Sequence, residues 1–99
     1  MAFVKTLETL MIRKPILIIN KLGLHARAAA KFVSTASRFA SQIEVARDTK
    51  LVNGKSIMGV MMLGAGKGVI IELIIAGEDE QEAFSALEKL VNHRFDEAE

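Results

Sequence analysis

Ile16-Leu17-Ile18-Ile19-Asn20-Lys21-Leu22-Gly23-Leu24-His25-Ala26-Arg27 passes from an extended apolar run, through one loop, into a helix. Residues 15–19 read as a strand. Pro15 must stand at its start or on a sheet edge, because proline has no N–H for the ladder. Asn20-Lys21-Leu22-Gly23 is the loop. The alanines at 26 and 28–30 are strong helix formers. Phe32, Val33 and Ala36, with Ala29 one turn earlier, have the spacing of a buried helical face. His25 therefore falls at or near the helix N-cap. Unpaired backbone N–H groups and the positive end of the helix dipole face outward there. Such a place favours a negative group bonded to, or docked against, the imidazole, and a phosphoryl group is the candidate.

Working outward, residues 42–47 alternate, with Ile43 and Val45 on one side, and predict a second strand. Asp48-Thr49 turns into a short third strand ending near Val52, and Asn53-Gly54 is a further turn. Ser56 is a favoured N-cap, worth about 1 kcal/mol over alanine. It opens a brief helix through Ile57-Met58-Gly59-Val60-Met61-Met62-Leu63, closed by Gly64. Val60 and Met62 are expected to be more buried than Met58 and Met61. Residues 69–75 are the strongest strand, apolar enough to be central. After Gly77, Asp79 and Glu82 have the spacing of a capping box. Ala83, Phe84, Leu87, Leu90 and Val91 then form the buried stripe of a final helix, with His93 exposed at its end. Gly64-Ala65-Gly66-Lys67-Gly68 lacks the spacing of a phosphate-binding loop and leads into a strand, so it reads as a flexible turn. The order β-α-β-β-α-β-α predicts an α+β fold: an open-faced β-sandwich, a four-stranded antiparallel sheet with three helices on one face.

The chain of 99 residues is long enough for one core. Residues 12–95 read as the domain, 1–11 as an N-terminal extension and 96–99 as an acidic tail. In the extension, Phe3, Val4, Leu7, Leu10 and Met11 fall on an amphipathic helical pattern that suits packing on the sheet or on a neighbouring subunit. Cysteine is absent, which excludes disulfides and thiol catalysis and suits a reducing compartment. No apolar run approaches the roughly 20 residues that span a bilayer, and the first residues lack signal-peptide features. The expected location is cytoplasmic, without membrane insertion. Two histidines and no cysteine offer no zinc ligand set, so neither a metal nor a cofactor is expected.

Net charge is only +1, yet residues 1–55 hold ten Lys/Arg against three Asp/Glu, and residues 56–99 hold three against nine. Lys21, Arg27 and Lys31 surround His25 in sequence and would steer phosphate and acidic partners to it. A lone histidine is more often structural than reactive. Here the imidazole stands at a helix start, where its unprotonated nitrogen is a nucleophile and Arg27 can hydrogen-bond the oxygens of a phosphoryl group. A small nucleic-acid-binding domain is disfavoured. The chain has no Tyr or Trp, and its five Phe are not interleaved with basic residues as stacking platforms require.

The stretch Asn20 to Arg27 resembles the active-site signature of the histidine-containing phosphocarrier (HPr) family of the bacterial phosphoenolpyruvate-dependent phosphotransferase system. Asn53-Gly54-Lys55-Ser56-Ile57-Met58-Gly59-Val60-Met61 is similar to that family's second signature, around a regulatory serine. The resemblance covers roughly residues 12 to 95. It implies that His25 is the phosphorylated residue, on Nδ1, that Arg27 stabilises the phosphoryl group, and that Ser56 is the position that a dedicated ATP-dependent kinase modifies in some bacteria. It implies a partner surface made by Lys21, Ile57, Met58 and Met61. The partners would be an enzyme I donor and enzyme IIA-type acceptors, with a serine kinase/phosphorylase acting on Ser56. The chain would be a monomeric carrier and not itself an enzyme. Asn92-His93-Arg94-Phe95-Asp96-Glu97 faintly resembles a nitrogen-related branch, an alternative in which phosphate regulates other proteins and does not drive sugar uptake. One departure stands out: the family commonly has proline directly after the arginine, and this chain has Ala28.

Overall fold

The computed structural model describes residues 11–99, so the amphipathic pattern of the extension lies outside the described residues except for Met11. Four strands form one sheet: β1 (Ile12–Leu17), β2 (Gln42–Arg47), β3 (Lys50–Asn53) and β4 (Ile70–Ala76). Three α-helices accompany it: α1 (Ala26–Ala36), α2 (Ile57–Met62) and α3 (Glu80–Asn92), followed by a 3-10 turn, Arg94–Asp96. The strands lie in the order β1-β4-β2-β3, each antiparallel to its neighbours. This is the expected fold.

β4 is an inner strand, as its composition predicts. Ile71, Leu73 and Ile75 are buried, while Ile70 on the opposite face is exposed. The strand is apolar on both faces, so its alternation is weak in sequence and clear only in burial. β1 begins earlier than the apolar run suggests, at Ile12, and holds Pro15 within it, paired with Glu72. An edge strand tolerates this, since one side of its ladder has no partner. Pairing of the chain continues past the end of β1: Ile18 donates to the Val69 carbonyl and accepts from Gly68 N–H.

The core joins Ile12, Ile16, Ile43 and Val45 of the sheet to Ala29, Phe32 and Ala36 of α1 and to Ala83, Leu87 and Val91 of α3. Each large side chain buried there contributes about 1.5–3 kcal/mol. The alanines on α1 let that helix lie close to its neighbours, which fixes the helix start carrying His25.

Two expectations are corrected. Met62 is 66 % exposed, more so than Met61 at 39 %, although Val60 is fully buried as expected. On a helix, residues i and i+3 share a face and i and i+2 do not. Val60 and Leu63 therefore turn inward together, and Met62 is left on the outer side. Asp79 is the N-cap residue of α3, but its side chain makes no cap bond. Its carboxylate instead accepts from the N–H groups of Ala40 and Ser41 at 2.8 and 2.9 Å and from Ser41 Oγ at 2.5 Å. The turn leading into β2 would otherwise leave those donors unpaired. A different acidic residue serves the end of β4: Glu80 accepts from Gly77 N–H at 3.2 Å.

The turn after α3 has no forecast in the sequence. Arg94, Phe95 and Asp96 have φ of 58, 54 and 64°, three successive non-glycine residues in the left-handed region. That conformation costs about 1–2 kcal/mol per residue. Burial of the whole Phe95 side chain against the core offsets part of it. Lys31 adds to this, its Nζ bonding the Phe95 carbonyl at 2.8 Å and lying 3.5 Å from the Asp96 carboxylate.

Candidate phosphoryl-acceptor site

His25 is the N-cap of α1, with extended backbone (φ −69°, ψ 176°), and its side chain does not cap. The first bond within the helix is Ala29 N–H to the His25 carbonyl, 2.8 Å. The N–H groups of the first turn therefore have no intrahelical acceptor and are available to an anion.

The loop before it is fixed at both ends. Gly23 adopts φ of +64°. Leu24 N–H reaches the Ala65 carbonyl at 2.9 Å. Asn20 is fully buried, and its amide donates to the Gly23 carbonyl at 2.9 Å. Each of these bonds narrows where the imidazole can point.

A cleft of about 390 Å³ opens beside the helix start, lined by Lys21, Leu22, His25, Arg27 and residues 97–99. The stretch read as an acidic tail thus forms one wall of it. His25 Nε2 lies 2.5 Å from Glu97 Oε2, and Glu97 Oε1 accepts from the Asn20 amide at 3.0 Å. Burial pushes the Glu97 carboxyl up. The hydrogen bonds from Asn20 and His25, with the charges of His25 and Arg27, outweigh it and leave the group below the usual carboxylate range. An ionised carboxylate only accepts hydrogen bonds. The ring nitrogen facing it, Nε2, therefore carries a proton, and in the neutral ring this leaves the lone pair on Nδ1. Among the described residues no hydrogen bond reaches Nδ1.

The three basic residues grouped in sequence around His25 differ in what they touch. Lys21 bonds through its backbone N–H to the Glu99 carbonyl at 2.7 Å, and its Nζ lies 3.4 Å from the Glu99 carboxylate. Lys31 holds the turn at Phe95 and Asp96. Arg27 is exposed in the cleft and, among the described residues, has no hydrogen-bond or ion-pair partner. Its guanidinium is free to meet an anion.

Ser56 is the N-cap of α2, and its Oγ accepts Gly59 N–H at 3.1 Å. α2 packs against α1. Its outer side shows Ile57, Met58, Met61 and Met62, with Leu22 exposed on the cleft wall. The structure thus gathers Lys21, His25 and Arg27 around one cleft and sets Ser56 on the neighbouring helix, outside the cleft lining. His93 caps the end of α3 in solvent. Among the described residues no cluster of three His, Cys, Asp or Glu is placed to hold a metal, and no helix is long and apolar enough to cross a membrane.

Sequence reasoning missed Asn20 and Glu97 as site residues. Asn20 lies inside the quoted loop, and its burial was the missing information. Glu97 carries no local signal, since only the left-handed turn brings it back to His25.

An N-cap histidine and an exposed arginine thus share one cleft at the start of α1. Residues 12–93 match the family model for the PTS HPr component phosphorylation site. The chain is 56 % identical over 89 residues to the phosphocarrier protein HPr of Neisseria meningitidis serogroup A, covering 90 % of this chain and 100 % of the relative. It is 60 % identical over 85 residues to that of Pseudomonas aeruginosa, covering 85 % and 94 %. The crystal structure of HPr from Thermoanaerobacter tengcongensis superposes with a TM-score of 0.85 at 51 % identity, over 89 % of this chain and 99 % of that one. A further structure of HPr from that organism, described as a dimer, gives 0.71 at 55 % identity, over 83 % and 94 %. The chain belongs to the HPr family of phosphocarrier proteins of the phosphotransferase system.

Proposed function

We propose that His25 Nδ1 receives a phosphoryl group from a phosphohistidine enzyme, enzyme I, and passes it to an acceptor of the enzyme IIA type. The observation that carries this reading is an N-cap histidine whose Nδ1 has no hydrogen bond among the described residues, beside an Arg27 with no partner among them, in a cleft that meets the first turn of α1. Phosphoryl exchange between two imidazoles is nearly balanced in energy. Positioning and charge neutralisation therefore do most of the work. The N–H groups of the first turn and Arg27 meet the phosphoryl oxygens, while the exposed apolar side of α2 with Lys21 docks the partner protein.

Ser56 is the regulatory position in this reading. A phosphate there sits at a helix N-terminus, where its charge is tolerated, and adds about −2 to the docking surface. Acidic partners drawn to the basic surround of His25 would then be repelled. The protein works as a monomer in the cytoplasm. The alternative acceptor is a regulatory protein of the nitrogen-related branch. In its favour stands the segment from Asn92 to Glu97, whose sequence faintly resembles that branch. Transfer onto a sugar-specific permease component, or only onto a regulatory acceptor, separates the two.

The test of the carrier reading is incubation of the folded protein with phosphoenolpyruvate and enzyme I. The expected result is one acid-labile phosphate on His25, absent from His25→Ala. A folded sample that takes up none overturns the reading.

A further inference from the structure

We propose that Glu97 is the positioning residue that makes Nδ1, and not Nε2, the nitrogen of His25 that accepts phosphate; this deepens the carrier reading and rests on it. The two ring nitrogens are distinct, and the partner of one decides the state of the other. Glu97 Oε2 takes Nε2–H at 2.5 Å, and Glu97 Oε1 is itself held by the buried Asn20 amide at 3.0 Å. Both carboxylate oxygens are thus engaged, and Glu97 is an oriented acceptor instead of a roaming tail charge. Its side chain is only 18 % exposed and that of His25 28 %.

The backbone that delivers Glu97 is purpose-shaped. Three consecutive positive φ angles at Arg94, Phe95 and Asp96 reverse the chain after α3. Phe95 anchors the turn in the core, and Lys31, on the same helix that His25 caps, grips the Phe95 carbonyl at 2.8 Å. A solvated tail would not hold three unfavourable residues in place. The link runs Lys31, turn, Glu97, His25, and closes on the helix it started from.

In the transfer step the Nδ1 lone pair forms the new P–N bond. The bonding pair of the donor's P–N bond returns to the donor imidazole. No proton needs to move, because Nε2 already carries one. The positive charge that develops on the His25 ring is met by the Glu97 carboxylate on the nitrogen away from the incoming group. Carboxylate support of an imidazole in this way both fixes the tautomer and stabilises the charged ring.

The experiment compares wild type, Glu97→Ala and Glu97→Gln by two readouts. The first is the pair of imidazole 15N chemical shifts of the neutral ring, which report the tautomer without any phosphoryl transfer. Wild type is expected as the Nε2–H form, Glu97→Gln as nearly the same because its amide oxygen still accepts, and Glu97→Ala as a mixture. The second is the rate of phosphorylation by enzyme I. Loss of such an orienting partner lowers it about tenfold in Glu97→Ala, in kcat with KM for enzyme I unchanged, and Glu97→Gln falls between. A Glu97→Ala protein with the wild-type tautomer and rate, or a faster rate, overturns the inference. If wild type itself accepts no phosphate, the carrier reading fails, and the 15N shifts still decide whether Glu97 sets the tautomer.

Discussion

Gly23 lies so close to Ala65 that a Cβ on the glycine would come within 2.4 Å of the Ala65 carbonyl oxygen. That contact ties the loop carrying His25 to the segment between α2 and β4, and Leu24 N–H bonds the same carbonyl. All three nearest neighbours of the imaginary Cβ, Ala65 O and the Cα and carbonyl carbon of Gly66, are backbone and cannot rotate aside.

Gly23→Ala should therefore be costly. Its φ of +64° alone charges a non-glycine residue about 1–2 kcal/mol. Relieving the overlap by backbone shift adds about 1–3 kcal/mol. Chemical denaturation is expected to show a loss of stability in that combined range, with slower phosphorylation because His25 moves with the loop. An unchanged unfolding midpoint would contradict the close approach.

Ser56 separates a structural from a regulatory role. Removing its cap bond to Gly59 in Ser56→Ala should cost about 1 kcal/mol and leave phosphorylation of His25 near the wild-type rate, since the hydroxyl does not line the cleft. Ser56→Asp puts charge beside the partner surface and should slow that reaction. A Ser56→Asp protein that accepts phosphate as fast as wild type would argue against blocking by charge.

The contrast between Ser56 and Asp79 shows what a sequence carries. Ser56 caps α2 because the bond it makes is local, three residues long. Asp79 has the same local pattern and yet turns to Ala40 and Ser41, because distant donors needed an acceptor. The order of elements along the chain, the inner position of β4 and the His25 helix start were legible, since each rests on periodicity, composition or a short motif. Met62 misled because six residues of mixed apolar helix do not reveal which face is inward until Val60 and Leu63 are seen buried. Glu97 was invisible for a stronger reason. Its contact with His25 spans 72 residues of chain and depends on backbone angles that Arg94, Phe95 and Asp96 do not favour on their own.

Acid should weaken the fold through two carboxylates. Asp79 is held below its ordinary 3.8 by the Ser41 hydroxyl and the Ala40 N–H. Glu97 is held below its ordinary 4.5 because the hydrogen bonds of Asn20 and His25 and the nearby positive charges exceed the opposing effect of burial. Both folded values are depressed, so their contribution is complete above the unfolded values and disappears as pH falls through the folded ones. Unfolding measured from pH 6 downward should show stability falling once the pH passes below about 4.5. Asp79→Asn should be less stable than wild type at neutral pH and should show a shallower fall. Parallel curves for the two proteins would remove Asp79 as a source.

Ala28 occupies the place where relatives of this family commonly carry proline, and the structure says what that exchange can change. The first intrahelical bond belongs to Ala29 N–H, so the Ala28 N–H has no partner within the helix. Proline at 28 would remove a donor the helix does not use. It would also press Arg27 towards extended backbone. The N–H lost is one of those facing an anion at the start of α1, and a single hydrogen bond of this kind is worth about 0.5–1.5 kcal/mol, or about two- to tenfold in rate or lifetime. Ala28→Pro is accordingly expected to keep the circular-dichroism spectrum and to accept phosphate on His25. The phosphorylated form should lose its phosphate faster by that factor in a hydrolysis time course. A phosphohistidine of equal or longer lifetime in the proline variant would show that the Ala28 N–H takes no part in holding the phosphoryl group.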